Sequence, residues 1–350
     1  MLLTVLSVAF PFAGVGPDAV GGAEQVLAQV DAGLVAAGHR SIVLAAEGSH
    51  TAGELIAVPR LPGTLTAERC RLGQVRQREA LQAALARTRV DVVHMHGIDF
   101  AEYLPDPGVP VVATLHLPPG WYPEDALRPS RPATWLVCVS EAQRDACPPS
   151  SAVIETIENG VDARRFAPRV SKRSFALALG RICPEKGFEF ALEAARLAGV
   201  PCLLGGAVFP FEEHQRYFER EIAPRLDRSR RFLGPLGWAR KLRLLAAARC
   251  LLVPSLAPET SSLVAMEALA AGTPVIAYRR AGALAEIVEH GRTGFLVDSY
   301  QEMAAAIAAA PSIAADECRR SAEERFPAAR TVARYIELYH ALAGGADASA

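Results

Sequence analysis

The stretch from Leu2 to Ala46 reads LLTVLSVAFPFAGVGPDAVGGAEQVLAQVDAGLVAAGHRSIVLAA and contains one strand, one helix and a second strand in succession. Apolar, β-branched runs predict strands over Leu2–Ala9 and Ser41–Ala46, and the apolar residues of Ala23–Ala37 recur at helical spacing. Gly38 stands where a helix is commonly capped at its C-terminus. Two strands joined by a helix predict parallel pairing, with the helix packed on the sheet.

The same alternation of short apolar strands with helical patterns continues along the chain. Further strands are predicted over Val90–His94, Val109–Leu115, Trp135–Val139, Ser174–Leu179, Cys202–Leu204, Arg231–Leu233, Cys250–Val253, Pro274–Tyr278 and Gly294–Val297. A chain of 350 residues exceeds what one hydrophobic core usually organises. We therefore predict the α/β class, with two Rossmann-like, doubly wound parallel-sheet domains that face each other across a cleft.

A turn-rich stretch over Asn159–Pro168 separates the two series of strands and is predicted to be the interdomain linker. The N-terminal domain is accordingly placed at residues 1–165 and the C-terminal domain at residues 166–326. A last helix is predicted over Ala328–Ala343, and we expect its apolar face to pack against the first domain.

Composition and charge exclude several classes of protein. The net charge of -1, from 37 basic and 38 acidic residues, provides no general field for nucleic acid, so no nucleic-acid partner is predicted. No apolar run approaches the roughly 20 residues that span a bilayer. The opening stretch Met1–Phe10 is apolar but lacks the basic leader of a signal peptide. The seven cysteines are scattered and include no C-x-x-C pair, which predicts reduced thiols. These features favour a cytoplasmic protein. Arginine-rich stretches at 69–78 and 225–231 are expected to be solvated, and they leave a peripheral contact with the inner membrane face open.

The strongest functional signal is a pair of glutamates at a predicted strand-to-helix junction, in the sequence PETSSLVAMEALAAG from Pro258 to Gly272. Glu259 is expected in the loop and Glu267 about two turns into the helix. The start of that helix offers backbone N–H groups at residues 261–263, which form a natural pocket for an anion. A phosphate bound there would have carboxylates nearby for sugar hydroxyls. The competing interpretation is that both glutamates are solvated helix charges.

A second signal, GRICPEKG from Gly180 to Gly187, also lies between a predicted strand and a helix. Arg181 and Lys186 are expected to project beyond the strand end, where a diphosphate needs cationic partners. The competing interpretation is two exposed surface cations. In the first domain, the glycine-rich turn from Gly14 to Glu24 lets the backbone approach a ligand closely. It lacks the compact dinucleotide fingerprint, which disfavours an NAD site.

Three histidines at predicted strand ends, His94, His96 and His116, raise a zinc hypothesis because alternate strand residues share a face. No fourth ligand with suitable spacing accompanies them, and hydrogen-bonded histidines of a core or cleft are the favoured interpretation.

Taken together, these motifs resemble the family 4 retaining glycosyltransferases of the GT-B fold, also called glycosyl transferases group 1, over nearly the whole chain. The residues that carry the resemblance occur in the family's order: Gly21-Gly22-Ala23-Glu24, Asp91 to His96, Thr114-Leu115-His116, Val139-Ser140-Glu141, Asn159-Gly160-Val161-Asp162, Gly180-Arg181, Glu185-Lys186-Gly187, and the pair Glu259 and Glu267.

The resemblance implies transfer of a sugar from a nucleotide-sugar donor to a hydroxyl acceptor with retention of configuration, without a metal or an organic cofactor. It implies that the first domain binds the acceptor and the second domain the donor. Implied catalytic residues are His116, Glu259, Arg181 and Lys186. Implied donor-binding residues are Gly21, Gly22, Arg181, Lys186, Leu236, Ser261, Ser262, Leu263 and Glu267. Glu24 is the implied acceptor-binding residue.

Two other functions stay open at this point: a GT-B-fold epimerase acting on a nucleotide-sugar, and a non-catalytic subunit that binds one. The residues do not specify the donor among UDP-, GDP-, ADP- and TDP-sugars. They also leave open whether the acceptor is a glycan, a lipid-linked sugar or a small molecule, and they do not specify the oligomeric state.

Overall fold

The computed structural model describes residues 2–61, 63–149, 151–166 and 170–347. The chain divides into two compact units. Unit 1 combines the residues up to Asn159 with the segment from Ala329 onward, and unit 2 runs from Gly160 to Ala328. Part of the predicted linker, residues 167 and 168, lies outside the described residues.

Unit 1 contains a seven-stranded sheet with the order β3-β2-β1-β4-β5-β6-β7. Its strands are β1 Thr4–Val8, β2 Arg40–Ala46, β3 Glu54–Val58, β4 Val92–Met95, β5 Val111–Thr114, β6 Thr134–Cys138 and β7 Val153–Thr156. Its helices before the final one are α1 Gly22–Ala36, α2 Ala67–Arg87, α3 Glu124–Leu127 and α4 Glu141–Asp145. Every neighbouring pair of strands is parallel, which confirms the predicted class for this half of the chain.

Two strands of this sheet, β3 and β7, were not predicted from the sequence. Both are edge strands that leave residues partly or fully exposed. An edge strand tolerates polar side chains such as Glu54 and Glu155, so its pattern lacks the continuous apolar run of a central strand. The predicted strands are all present: two of them, Cys250–Val253 and Gly294–Val297, have the predicted bounds, and the others have one or both ends displaced by one to a few residues.

Unit 2 contains a six-stranded parallel sheet with the order β10-β9-β8-β11-β12-β13. Its strands are β8 Ala176–Leu179, β9 Cys202–Gly205, β10 Arg230–Phe232, β11 Cys250–Val253, β12 Val275–Tyr278 and β13 Gly294–Val297. Its helices are α5 Phe188–Leu197, α6 Glu212–Tyr217, α7 Trp238–Ala247, α8 Leu263–Ala270, α9 Leu284–Ile287, α10 Tyr300–Ala309 and α11 Ala315–Arg325.

The last helix, α12, spans Ala328–Asp347 and contributes buried residues to unit 1. The phenol of Tyr339 lies 2.6 Å from Nδ1 of His94 in β4. A Cβ atom added at Gly33 of α1 would lie 2.3 Å from the side chain of Val332, so glycine is what allows the two helices to approach this closely. Within the described residues, no helix is both long and apolar enough to cross a membrane.

Each sheet reverses its strand order at one point, between β1 and β4 in unit 1 and between β8 and β11 in unit 2. Loops that leave neighbouring strands at such a switch point diverge to opposite faces of the sheet, which opens a crevice at the carboxyl ends of the strands. The glycine-rich turn follows β1, and the loops that carry Arg181, Lys186 and Glu259 follow β8 and β11. The fold therefore places the predicted motifs where a ligand crevice is expected.

Candidate active site

In unit 2, the loops that follow β8 and β11 are joined by backbone contacts. The N–H of Leu256 donates to the carbonyl of Glu185 at 2.8 Å. Gly187 has a left-handed φ of +58°, and a Cβ atom there would lie 2.5 Å from the carbonyl oxygen of Pro254. Glycine is required at this position by its conformation and by the approach of the second loop. The contact brings Lys186 beside the loop that carries Glu259.

Lys186 and Glu259 form an ion pair at this junction. Nζ of Lys186 lies 2.6 Å from Oε1 of Glu259, and the Glu259 side chain is only 10% exposed. The hydroxyl of Ser255 also donates to Oε1. A largely buried carboxylate that accepts two hydrogen bonds is held in one orientation, which excludes the interpretation of Glu259 as a solvated surface charge.

The backbone of Glu259 is held by a third segment, the turn after β12. The N–H of Ala283 donates to the Glu259 carbonyl at 2.8 Å, and the Glu259 N–H donates to Ala281 at 3.3 Å. Gly282 between them has φ +59°, and a Cβ atom there would lie 2.5 Å from the Glu259 carbonyl oxygen. Three consecutive strands of the sheet, β8, β11 and β12, thus contribute the loops that fix this carboxylate.

Helix α8 begins at Leu263, four residues after Glu259. Ser262 is its N-cap residue, and the Ser262 carbonyl accepts from the N–H groups of Ala265 and Met266 at 3.0 and 3.1 Å. The N–H groups of Leu263 and Val264 precede these first hydrogen bonds and lie at the positive end of the helix dipole. Among the described residues, the hydroxyl of Ser261 is buried without a hydrogen-bond partner. This helix start has the donors that an anionic group requires.

The expected depth of Glu267 in this helix was wrong. Helix α8 starts at Leu263, so Glu267 lies about one turn from its start rather than two. Only 4% of Glu267 is exposed, and its Oε1 lies 2.7 Å from Nζ of Lys241 on α7. Burial raises the pKa of this carboxyl, and the nearby Lys241 opposes that rise. A buried carboxylate paired in this way is a specific polar group rather than a solvated helix charge.

Lys241 was not singled out from the sequence, although a compositional signal was available. Only three of the 37 basic residues are lysines: Lys172, Lys186 and Lys241. The ammonium of Lys186 contacts Glu259, that of Lys241 contacts Glu267, and that of Lys172 donates to the carbonyl of Ala246 at 2.9 Å. In a chain whose surface cations are arginines, each lysine is a candidate for a specific contact.

Two other residues that were predicted to bind the donor, Arg181 and Leu236, are not members of these two ion pairs. The guanidinium carbon of Arg181 lies 5.8 Å from the centre of the Phe209 ring, in the loop after β9. Leu236 packs over the end of β9, where a Cβ atom added at Gly205 would lie 2.5 Å from Leu236 Cδ1. Both residues lie in loops beyond the carboxyl ends of strands β8 and β10.

In unit 1, Gly21 and Gly22 form the start of α1. Gly21 is the N-cap residue, and a Cβ atom there would lie 1.8 Å from Oε2 of Glu24. The Glu24 carboxylate therefore folds back over Gly21, and only 7% of Glu24 is exposed. An acidic side chain near the first turn interacts favourably with the helix dipole. This position ties Glu24 to the glycine turn rather than to open solvent.

In unit 1, His94, His96 and His116 lie close together, and the ring centroids of His94 and His96 are 3.9 Å apart. Nδ1 of His94 is hydrogen-bonded to Tyr339, and Thr114 is hydrogen-bonded to Tyr335. Nε2 of His94 lies 2.7 Å from Oγ1 of Thr114, so both ring nitrogens of His94 are occupied by neighbours. Nδ1 of His96 lies 3.0 Å from Nε2 of His116. With both nitrogens of His94 engaged in this way, the zinc hypothesis for this group is disfavoured.

Burial keeps these histidines uncharged at neutral pH. It lowers the pKa of His94 and His96 well below the usual value, and it lowers the pKa of His116 to about 3. His116 is partly exposed beyond the end of β5, and its backbone N–H donates to the hydroxyl of Tyr122 at 3.0 Å. A neutral imidazole at this edge can donate or accept one hydrogen bond without adding charge.

Two family models match consecutive parts of the chain. Residues 20–165 match the model described as Glycosyltransferase Family 4, and residues 162–325 match the model described as Glycosyl transferases group 1. The two matches together include every candidate site residue described above.

Several known proteins and solved structures are similar to this chain. The D-inositol 3-phosphate glycosyltransferase of Corynebacterium urealyticum is 32% identical over 222 residues, 55% of this chain and 52% of that protein. AviGT4, a glycosyltransferase involved in avilamycin A biosynthesis, has a TM-score of 0.73 and 29% identity over 98% of each chain. Anabaena HepE, solved in complex with UDP-glucose, has a TM-score of 0.74 at 21% identity over 97% of this chain and 100% of that one. The chain spans about half the length of the curated relatives that it matches.

Proposed function

We propose that this chain, which belongs to the family 4 glycosyltransferases of the GT-B fold, transfers a hexosyl group from a nucleotide-sugar to a hydroxyl acceptor with retention of configuration. The observation that carries the proposal is the set of polar groups in unit 2 at the carboxyl ends of β8 and β11. It consists of the Lys186–Glu259 pair and the start of α8, which follows Glu259 by a few residues.

The donor diphosphate is assigned to Arg181, Lys186 and the amides of Ser262 and Leu263. An ammonium group has three N–H donors, so Lys186 can keep its contact with Glu259 and still donate to a phosphate oxygen. Departure of the nucleoside diphosphate concentrates negative charge on that group. Cations and helix N–H groups that are already in position stabilise the developing charge without reorganisation.

The two carboxylates are assigned to different parts of the donor. Lys186 and Ser255 both contact Oε1 of Glu259, and we assign Oε2 to hydroxyl groups of the donor sugar. Glu267, held by Lys241, is assigned to the ribose hydroxyls, and Leu236 to the neighbourhood of the base. In unit 1, the glycine turn is assigned to the diphosphate.

The remaining assignments of unit 1 concern the sugar and the acceptor. His116 is assigned to the donor sugar and Glu24 to the acceptor. For retention, the acceptor oxygen attacks the anomeric carbon from the face that the leaving group departs. The bond from that carbon to the phosphate oxygen breaks, and a phosphate oxygen of the departing diphosphate takes the acceptor proton. In this scheme no metal ion is needed to neutralise the diphosphate, since Arg181, Lys186 and the helix start carry the positive charge.

The chemistry of the site accommodates a UDP-, GDP-, ADP- or TDP-sugar as the donor. UDP-glucose is the first donor to test, because HepE was solved with it. A glycan, a lipid-linked sugar or a small molecule remains the acceptor class. All seven cysteines are free thiols, which supports a reducing, cytoplasmic environment.

A thermal-shift screen with the four classes of nucleotide-sugar, followed by product analysis, tests this proposal. A donor present at 100 times its Kd should stabilise the folded protein by about 2.7 kcal/mol. With the donor identified, NMR of the released or transferred sugar in the presence of a metal chelator should show the donor's anomeric configuration. Inversion would contradict the retaining assignment, and loss of activity in the chelator would contradict metal independence. Chromatography coupled to mass spectrometry that detects only a nucleotide-sugar of unchanged mass and altered retention time would indicate an epimerase.

A further inference from the structure

Three side chains of unit 2 with metal-binding atoms come together beside the GRICPEKG loop. Sγ of Cys183, a carboxylate oxygen of Glu185 and a ring nitrogen of His214 all lie within 4.8 Å of one another. Cys183 and Glu185 belong to the loop after β8, and His214 lies on α6 after β9. Neighbouring strands of one sheet therefore deliver the three groups, and none of the three has been assigned to the donor.

Two of these groups have buried polar atoms without a partner. Within the part of the chain that the structure describes, Oε2 of Glu185 and Nδ1 of His214 make no hydrogen bond, although neither atom reaches solvent. Only 8% of His214 is exposed, and Cys183 is fully buried. A buried polar atom without a partner is destabilising, so two such atoms at one point favour the binding of a ligand there.

One backbone hydrogen bond and one ring contact hold two of the three groups. Cys183 precedes a short 3₁₀ turn over Pro184–Lys186, and its carbonyl accepts from the N–H of Lys186 at 3.1 Å. The imidazole of His214 packs against the ring of Phe211, with ring centroids 5.2 Å apart.

We propose that Cys183, Glu185 and His214 form a binding site for one divalent transition-metal ion of the zinc class. Thiolate, imidazole and carboxylate are the three ligand types that zinc takes from proteins. Ligand atoms of a tetrahedral zinc site lie roughly 3.5 Å apart, given bonds of about 2.0–2.3 Å. Rotations of the three side chains that shorten separations of up to 4.8 Å to about 3.5 Å would close the site. The fourth position is left for water or another ligand.

The charges around the cluster fit a divalent ion. A thiolate and a carboxylate supply two negative charges, which match the charge of the metal. Arg181 and Lys186 are cations near Cys183, while Glu213 is an anion near His214. Because the two cations repel a metal ion, the affinity depends on direct coordination by the three side chains rather than on the general field.

Titration of the metal-free 350-residue chain with Co²⁺ tests this site, because a cobalt–thiolate bond gives a charge-transfer absorption band. We expect a band that saturates at one equivalent and disappears in Cys183→Ser. The matched control is Cys147→Ser, since Sγ of Cys147 lies 3.7 Å from Sγ of Cys138 in unit 1 and this pair is the competing soft site. The control should retain the band. A band that is missing in the wild type, or that persists in Cys183→Ser, would overturn the proposal.

A second measurement does not depend on replacing the cysteine. Competition with a chromophoric chelator should show about a tenfold or greater loss of Zn²⁺ affinity in His214→Ala and in Glu185→Gln. Circular dichroism establishes that each variant is folded. Unchanged zinc affinity in both folded variants would also overturn the site. Neither measurement uses a nucleotide-sugar, so the outcome is independent of the proposed transferase activity.

Discussion

Nζ of Lys241 lies 2.7 Å from Oε1 of Glu267, and both side chains are largely buried. Helix α7 supplies the lysine and helix α8 the glutamate, so the pair connects two helices that flank β11. A carboxylate that is buried this deeply needs a partner, because desolvation favours its neutral form. Lys241 is thus a positioning residue for the carboxylate that we assign to the donor ribose.

The buried pair predicts strong coupling between Lys241 and Glu267. Lys241→Met and Glu267→Gln should each lower the free energy of unfolding by about 3 kcal/mol, because each leaves an unpaired buried group. The double variant should lose clearly less than the sum of the two. Chemical denaturation of all four proteins measures the coupling. Additive losses would show that the two side chains do not interact in solution.

Removal of the Lys186 ammonium should affect catalysis more than folding. In Lys186→Ala, kcat/KM for the donor should fall about 100-fold or more, since a charge-assisted contact worth about 3 kcal/mol is lost. Lys172→Ala is the control, because that lysine contacts the Ala246 carbonyl rather than a carboxylate. Steady-state kinetics and thermal melts separate the two effects. Activity of Lys186→Ala close to wild type would remove the diphosphate assignment.

Gly187 offers a test of the loop junction with a matched control. Gly187→Ala combines a left-handed φ of +58° with a Cβ position 2.5 Å from the Pro254 carbonyl oxygen. Gly199 has a similar φ of +64° but no neighbouring atom within 4 Å of that position. Gly199→Ala should cost only the conformational strain, about 1–2 kcal/mol. Gly187→Ala should destabilise more and weaken donor binding, as measured by denaturation and donor titration. Equal losses in the two variants would contradict the junction.

The histidine group predicts a stability that falls in mild acid. The folded-state pKa values of His94, His96 and His116 are lowered, that of His116 to about 3. Below pH 6.5 the unfolded chain therefore binds protons that the folded protein does not. The free energy of unfolding should then decrease by up to about 1.4 kcal/mol per pH unit for each histidine. Denaturation between pH 7.5 and 5.5 measures the slope.

A variant identifies the source of this pH dependence. His96→Gln removes one of the buried titrating groups, and its stability should fall less steeply with acid than that of the wild type. An identical slope in the two proteins would assign the effect to other residues.

Local patterns were sufficient to predict eleven of the thirteen strands that the structure describes, and the positions of the motifs after them. Strand β11 over Cys250–Val253 and strand β13 over Gly294–Val297 have the bounds predicted from their apolar runs. The edge strands β3 and β7 were missed, because a half-exposed strand does not have to be apolar on both faces. Helix α8 was predicted at the correct place in the chain, but its predicted start was too early. Glu267 was therefore expected about one turn deeper in the helix than it is.

The sequence by itself determined the α/β class and the presence of cations and carboxylates beyond particular strand ends. These features depend on periodicity and on glycines within short segments. Only the tertiary structure decided which cation meets which carboxylate. Lys186 and Glu259 are 73 positions apart and meet because β8 and β11 are neighbours in the sheet, so their loops share one edge. Strand order arises from the packing of the whole domain, and no local pattern encodes it.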